Sequence, residues 1–351
     1  MKRLLLLLAL LLLVTGVFCA CNQVPAGDAS NDGTSDDGEA NGGTTDGGTS
    51  DGGTSDGGEA DGGEAVEGTL NGSAYTRIDA SGNADSDGEY ILFGEYPQSL
   101  KVAGVTVGTE ADARGYFLGS DGFYYAKAVA ATYEEGYVFS TGAEITSNTT
   151  YYFKVEPIRW RILSKKDGNA LILCDSIIAN KAFDEYTLDS LHNNNYEKSD
   201  IRAWLNGAFY ETAFDELQKT LVNTVKIDNS AASTTSNTWQ DNPRACKDTE
   251  DKVFLLSYAD AVNPAYGFAP NTNADASRAM TVSDYSRAMG AKIDNDPQSE
   301  FFGTGVWWLR SPYFGNDYMV KEVYYNGYIG IGSVITWRTT CVVPALEIAL
   351  R

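Results

Sequence analysis

Histidine is almost absent from this chain of 351 residues, which holds only His192. That excludes clusters of imidazole ligands around a metal and leaves any histidine-centred relay resting on one residue. His192 stands in Leu191-His192-Asn193-Asn194-Asn195, a polar loop sequence, so a solvated side chain is a simpler reading than a general base. Cysteine is scarce too. Of five, Cys19 and Cys21 fall at the N-terminus, and Cys174, Cys246 and Cys341 form no Cys-x-x-Cys pair and no zinc spacing. Cys174 and Cys341 sit in apolar runs, which suits buried thiols; a bridge between them is the alternative outside the cytoplasm. Positive charge is the third shortage. With 26 Lys and Arg against 48 Asp and Glu, the net charge is −22, which repels phosphate backbones, so no nucleic acid is expected as a partner.

What is present begins with an export signal. Lys2 and Arg3 precede the unbroken apolar run Leu4 to Val14, and small residues lead to Cys21, so residues 1–20 read as a signal peptide too short to span a membrane. Phe18-Cys19-Ala20-Cys21 resembles a bacterial lipobox, with Phe18 where Leu is usual. The resemblance implies cleavage before Cys21 and lipidation of its thiol; ordinary cleavage nearby, releasing a secreted protein, is the alternative. Acyl chains supply membrane affinity, so the expected location is extracytoplasmic, anchored to the cell membrane or outer membrane.

Residues 21–68 then read as a stalk. Between Asn22 and Gly68 there are twelve acids, no Lys or Arg and no aromatic residue, with Asp-Gly-Gly repeats beginning at Asp46, Asp51, Asp56 and Asp61. Calcium-binding β-rolls also use Gly-rich Asp repeats, but they bury apolar residues that this stretch lacks, so a disordered linker is the better reading. Such a chain spans on the order of 40 Å. The remaining residues, 69–351, are long enough for a large core and still acidic, with 36 Asp and Glu against 24 Lys and Arg.

Within them the pattern is α+β. A strand is expected over Glu89 to Gln98, ending at Pro97, with short strands at Tyr116 to Leu118 and Phe123 to Ala126. Residues 110–150 read as a Tyr-rich local insertion. Ile158, Trp160 and Ile162 alternate with Arg159 and Arg161, the period of a half-buried strand, and Ala170 to Cys174 returns as a hairpin partner. Ser199 caps a helix carrying Ile201, Trp204 and Leu205, with Gly207 as its stop and Trp204 as a core anchor. Thr212 is expected to cap a second helix with Phe214, Leu217 and Leu221 on one face. Val225 to Asp251 reads as a long polar loop of functional length. Val253 to Leu256 is a buried strand before a helix capped by Ser257, and a short helix is expected over Ser283 to Met289. Val306 to Arg310 reads as a strand, followed by a hairpin across Asn326-Gly327 and one closing strand, Cys341 to Ile348. Alternation places Trp307 and Trp308 on opposite faces, one in the core and one nearer the surface.

Phe93-Gly94-Glu95-Tyr96-Pro97-Gln98-Ser99, Ser199 to Asn206, Trp307-Trp308-Leu309-Arg310-Ser311-Pro312 and Val343-Pro344-Ala345-Leu346 together resemble an uncharacterised bacterial domain family of surface lipoproteins and multidomain proteins. The likeness covers about Tyr90 to Arg351, and Val343 stands where its pattern has Arg before the Pro. More distantly, the order of elements resembles the C-type-lectin-like fold of formylglycine-generating enzymes, which implies mixed and antiparallel sheets with a few short helices. Those enzymes oxidise thiols through a close copper-binding cysteine pair, and none is visible here; fold likeness alone carries no function.

Two sets of candidate residues remain. Asn83-Ala84-Asp85-Ser86-Asp87-Gly88 matches the first half of a calcium loop, with Asp85 and Asp87 as ligands, but Gly94 stands where the closing Glu belongs, and a plain turn before a strand is the preferred reading of the same residues. No cofactor is otherwise implied. Around the final hairpin, Trp308, Tyr313, Tyr324 and Tyr325 beside Arg310, Asn316 and Asp317 would suit a glycan or protein ligand, if those rings face solvent rather than core, although bracing of loops through carbonyl or carboxylate bonds is the preferred reading of Arg310. The sequence thus implies a noncatalytic recognition module on an anchored lipoprotein, with a divergent envelope enzyme and a structural envelope protein as alternatives.

Overall fold

The strand Thr150–Lys166 organises the domain. Ile158 and Trp160 are fully buried, and Trp160 donates its indole N–H to the Phe93 carbonyl at 2.7 Å. The strand Tyr90–Leu100 runs antiparallel along one edge of it, from Tyr90 opposite Arg161 to Leu100 opposite Phe153. Its other edge is shared by Tyr124–Val129 and Asn169–Cys174. Pro97 does not end its strand as predicted. It pairs with Val155, and register shifts on both sides absorb the missing N–H. Gly94 stands in one of these irregularities at φ 72°, where an added Cβ would lie 2.6 Å from the Phe214 ring.

The computed structural model describes residues 74–85, 88–132, 136–185, 193–235, 241–334 and 339–350. The predicted signal peptide, Cys21, the acidic stalk, Asp87 and His192 lie outside the described residues. The α+β reading holds: two larger, mostly antiparallel sheets and two two-stranded ones, with a few short helices, within a compact unit of residues 66–351. The larger sheet continues through Phe117–Gly119 to Val107–Ala111 at one end and through Ala345–Ala349 to Val253–Phe254 at the other. Within 110–150, Tyr137, Phe139 and Ile145 pack with Phe153 of the long strand and Ala288 of a later helix in a separate small core.

The second sheet has the order Ile329–Ser333, Met319–Val323, Trp307–Pro312, Cys341–Val342, Ala179–Asn180. The predicted single closing strand is therefore two. Cys341–Val342 lies in the second sheet and Ala345–Ala349 in the first. The break falls at Val343-Pro344, where proline cannot donate to a ladder, although its carbonyl still accepts from Cys174 N at 2.9 Å. Trp307 and Trp308 are both fully buried, which corrects the expectation that one nears the surface: the sheet is covered on both faces. Trp307 donates its indole N–H to the Arg278 carbonyl at 3.1 Å and Trp308 to the Lys181 carbonyl at 2.9 Å.

Among the helices, Ser199 caps Asp200–Trp204 as read from the sequence, its hydroxyl accepting from Arg202 N. Gly207 does not stop it: the π-helical turn Leu205–Phe209 carries the chain on into Tyr210–Ala213. Thr212 lies inside that run, and the next helix, Glu216–Lys219, is capped by Asp215 in a reciprocal box with Gln218. Phe214 is extended and packs on Phe93 at 5.1 Å, while Leu217 is 53% exposed, so the predicted apolar face does not form. Ser257 caps Tyr258–Ala261 as expected, and the expected helix near Ser283 is Asp284–Ala288, with Ser283 as its cap. Val225 to Asp251 is not structureless, because Val225–Ile227 pairs with Thr249–Asp251. Cys174 and Cys341 are buried free thiols, not a bridge. Burial pushes the Cys174 thiol up to about 12.

Candidate functional site: an aromatic pocket

The sequence-predicted surface does not assemble. Trp308 is fully buried and Arg310 is 4% exposed, so both move from surface to interior. Arg310 braces the fold, donating to the Leu255 carbonyl at 2.6 Å and to Asp260 Oδ2 at 2.9 Å. Tyr313 and Tyr324 are half-buried, while Asp317 and Tyr325 are exposed. Asn316 is half-buried, and its carbonyl accepts from the Asn194 amide, which also donates to the carbonyls of Tyr313 and Met319. Asp317 lies 3.8 Å from Arg244. The Tyr313–Asp317 segment and the Tyr324–Tyr325 turn flank opposite ends of the strand Met319–Val323. At about 3.4 Å per residue that separates them by roughly 15 Å, so they do not form one patch.

The calcium-like loop lies only partly within the described residues, since Asp87 falls outside them. Asp79, not Asp85, organises the turn: its Oδ1 accepts from Ser81 N at 2.8 Å and Asn83 N at 2.9 Å. Among the described residues no three His, Cys, Asp or Glu side chains converge as a metal would need, and Asp85 does not belong to such a set.

The structure instead brings together side chains that the sequence leaves far apart. A pocket of 210 Å³ is lined by Tyr96, Ala179, Asn180, Lys181, Trp204, Tyr285 and Met289. Four elements contribute. Tyr96 comes from the strand Tyr90–Leu100, Trp204 from the capped helix Asp200–Trp204, and Ala179 and Asn180 from the edge of the second sheet. Tyr285 comes from the helix Asp284–Ala288, with Met289 as its C-cap.

Each wall is held from behind. The Tyr96 ring packs against Phe209 at 5.3 Å and meets Tyr285 edge-on at 6.0 Å; Trp204 packs on the same Phe209 at 5.2 Å. Asn180 Nδ2 donates to the Met289 carbonyl at 2.7 Å, and its Oδ1 accepts from the Ser286 hydroxyl at 3.3 Å, which fixes the amide and the helix end together. Lys181 N donates to the Thr340 carbonyl, and the Lys181 carbonyl takes the Trp308 indole N–H. Trp308, singled out from the sequence as a contact residue, is thus a positioning residue behind the pocket. Burial, reinforced by Tyr285 and Tyr116, holds the Tyr96 phenol well above its usual range, and burial raises Tyr285 as well. Both phenols are neutral at physiological pH.

Sequence reasoning placed Trp204 in the core. Its packing on Phe209 supports that, but the ring is half-buried and also faces the pocket. The available signal was its place beside, not on, the fully buried stripe of Ile201 and Leu205. Tyr96 lies within the Phe93 to Ser99 motif and Tyr285 within the expected helix, but no local pattern joins them to Lys181.

Residues 167–350, just over half of the chain, match a family described as a domain of unknown function (DUF6273). They include Asn180, Lys181, Trp204 and Tyr285 but not Tyr96. No curated protein and no solved structure matches the chain.

Proposed function

The chain belongs to the DUF6273 family, and on that footing we propose that it is a noncatalytic recognition domain that binds a sugar ring of an envelope glycan in the aromatic pocket. The observation that carries this is three aromatic side chains, Tyr96, Trp204 and Tyr285, lining one pocket with the fixed amide of Asn180 and with Lys181. Aromatic faces take the C–H faces of a pyranose, and a few placed polar groups orient it. Pockets for drug-sized ligands begin at about 300 Å³, so this one suits a single ring.

The same proposal includes the cellular setting and the wider likeness. A lipid on Cys21 would anchor the domain outside the cytoplasm, and the acidic stalk would hold it clear of the membrane. The two antiparallel-rich sheets, short helices and closing strand support a C-type-lectin-like arrangement.

The test is an array of glycans and envelope components probed with the full-length chain, with and without calcium. Trp204→Ala and Tyr285→Ala variants, shown folded by thermal melts, run beside it. Binding lost in both variants supports the pocket. Binding that survives in both overturns it. Calcium-dependent binding returns attention to the oxygen-rich loop at Asp85 and Asp87, and an array silent toward the folded chain sinks the glycan reading in favour of a peptide or protein ligand.

A further inference from the structure

The pocket's charge says which sugar it takes, an inference that rests on the recognition reading above. Of its seven lining residues only Lys181 is charged. The Tyr96 and Tyr285 phenols are neutral, and Trp204 and Met289 carry no charge. The main chain of Lys181 is pinned by Trp308 and Thr340, so its side chain starts from a fixed root. We infer that the pocket selects an acidic sugar, a pyranose bearing a carboxylate, and that Lys181 is the residue that sets this specificity.

The counter-ion of Lys181 is Glu185, with Nζ 3.3 Å from Oε1 and side-chain exposures of 24% and 39%. Glu185 stands outside the lining. An ion pair this exposed is weak, worth about 0–1 kcal/mol, so a ligand carboxylate can share or replace it at little cost. An ammonium carries three donors, enough to hold an internal and an incoming carboxylate together. The acidic net charge of the chain does not forbid this: at physiological salt, charges beyond about 8 Å are largely screened, whereas contact in a part-exposed pocket is screened only in part.

Calorimetric titration of the full-length chain with glucuronate, its neutral amide glucuronamide, and glucose tests the assignment. The expected result is glucuronate binding at least ~10-fold tighter than either neutral sugar, with the preference shrinking as salt is raised. Lys181→Gln should remove that preference by weakening glucuronate alone. Lys181→Arg should keep it, and Glu185→Gln should tighten glucuronate by removing its competitor. Equal affinity for all three sugars, or a preference that survives Lys181→Gln, overturns the inference. In that case loss of all sugar binding in Trp204→Ala would leave the recognition reading standing. Absence of binding by any sugar, with an array equally silent, would remove both.

Discussion

At the scale of single residues, two buried charges show how differently the fold treats ionisation. Arg278 is fully buried, and its guanidinium donates to the carbonyls of Gly327, Ala261, Ala269 and Asn273, with Asp275 at 3.4 Å. A planar five-donor fork suits four carbonyls that no apolar side chain can satisfy. Arg278→Met should therefore destabilise the domain by about 3–5 kcal/mol, read from urea unfolding; a loss below 1 kcal/mol would mean that the carbonyls find other donors. Glu322 is the opposite case. It is 3% exposed, and burial pushes its carboxyl above the ordinary range, partly offset by Lys292 and by the hydroxyls of Thr340 and Tyr324. A raised folded-state value means the folded chain holds this proton more tightly than the unfolded one. The stabilising contribution is complete below the unfolded value near 4.3 and is lost as pH rises through the raised one. Glu322→Gln should consequently gain stability relative to the parent between pH 4 and pH 7, and a gap independent of pH would refute the assignment. Neither role was legible in the sequence: Arg278 reads there as one polar loop residue and Glu322 as the polar position of a strand, and only the fold turns the carbonyls of Ala261, Ala269, Asn273 and Gly327 onto the one and covers the other.

At the scale of elements, caps and turns were the readable part. Ser199 and Ser257 cap as their sequence positions imply, because a cap acts within three residues. The Asn326-Gly327 turn is also local, yet its setting is not. Gly327 has φ 77°, and an added Cβ would lie 1.9 Å from the Asp275 carbonyl oxygen. Gly327→Ala thus meets both the left-handed penalty, about 1–2 kcal/mol, and a backbone clash with the loop that positions Arg278. A fall in melting temperature of about 5 °C or more is expected; an unchanged melt would show that the hairpin and that loop separate freely. Where tertiary structure overrode the sequence, the cause was a partner elsewhere. Gly207 fails to stop its helix because the π turn lets Phe209 and Tyr210 reach the core. Pro97 stays within a strand because bulges take up its missing donor, and the closing strand splits because Pro344 cannot serve two sheets at once.

For the whole molecule, the pocket and the core depend on one connection. The segment after the Pro344 break sits between Asn169–Cys174 and Val253–Phe254 in the larger sheet, and Cys341–Val342 before it joins Trp307–Pro312 to Ala179–Asn180, the pocket edge. Ala345, Leu346 and Ile348 are fully buried, and Asn223 N and Ala349 N bond across to the Glu347 and Leu221 carbonyls at 2.9 Å. Deleting residues 345–351 would expose both flanking strands and leave a row of unpaired backbone groups along each. Burying Leu346 and Ile348 alone contributes about 1.5–3 kcal/mol each, a large share of a typical domain stability of about 5–15 kcal/mol. The truncated chain is therefore expected to lose its cooperative urea transition and its sugar binding together. A truncated chain that keeps cooperative unfolding but loses binding would show that the closing strand serves the pocket alone. One that keeps both would show that the sheet does not need its closing strand.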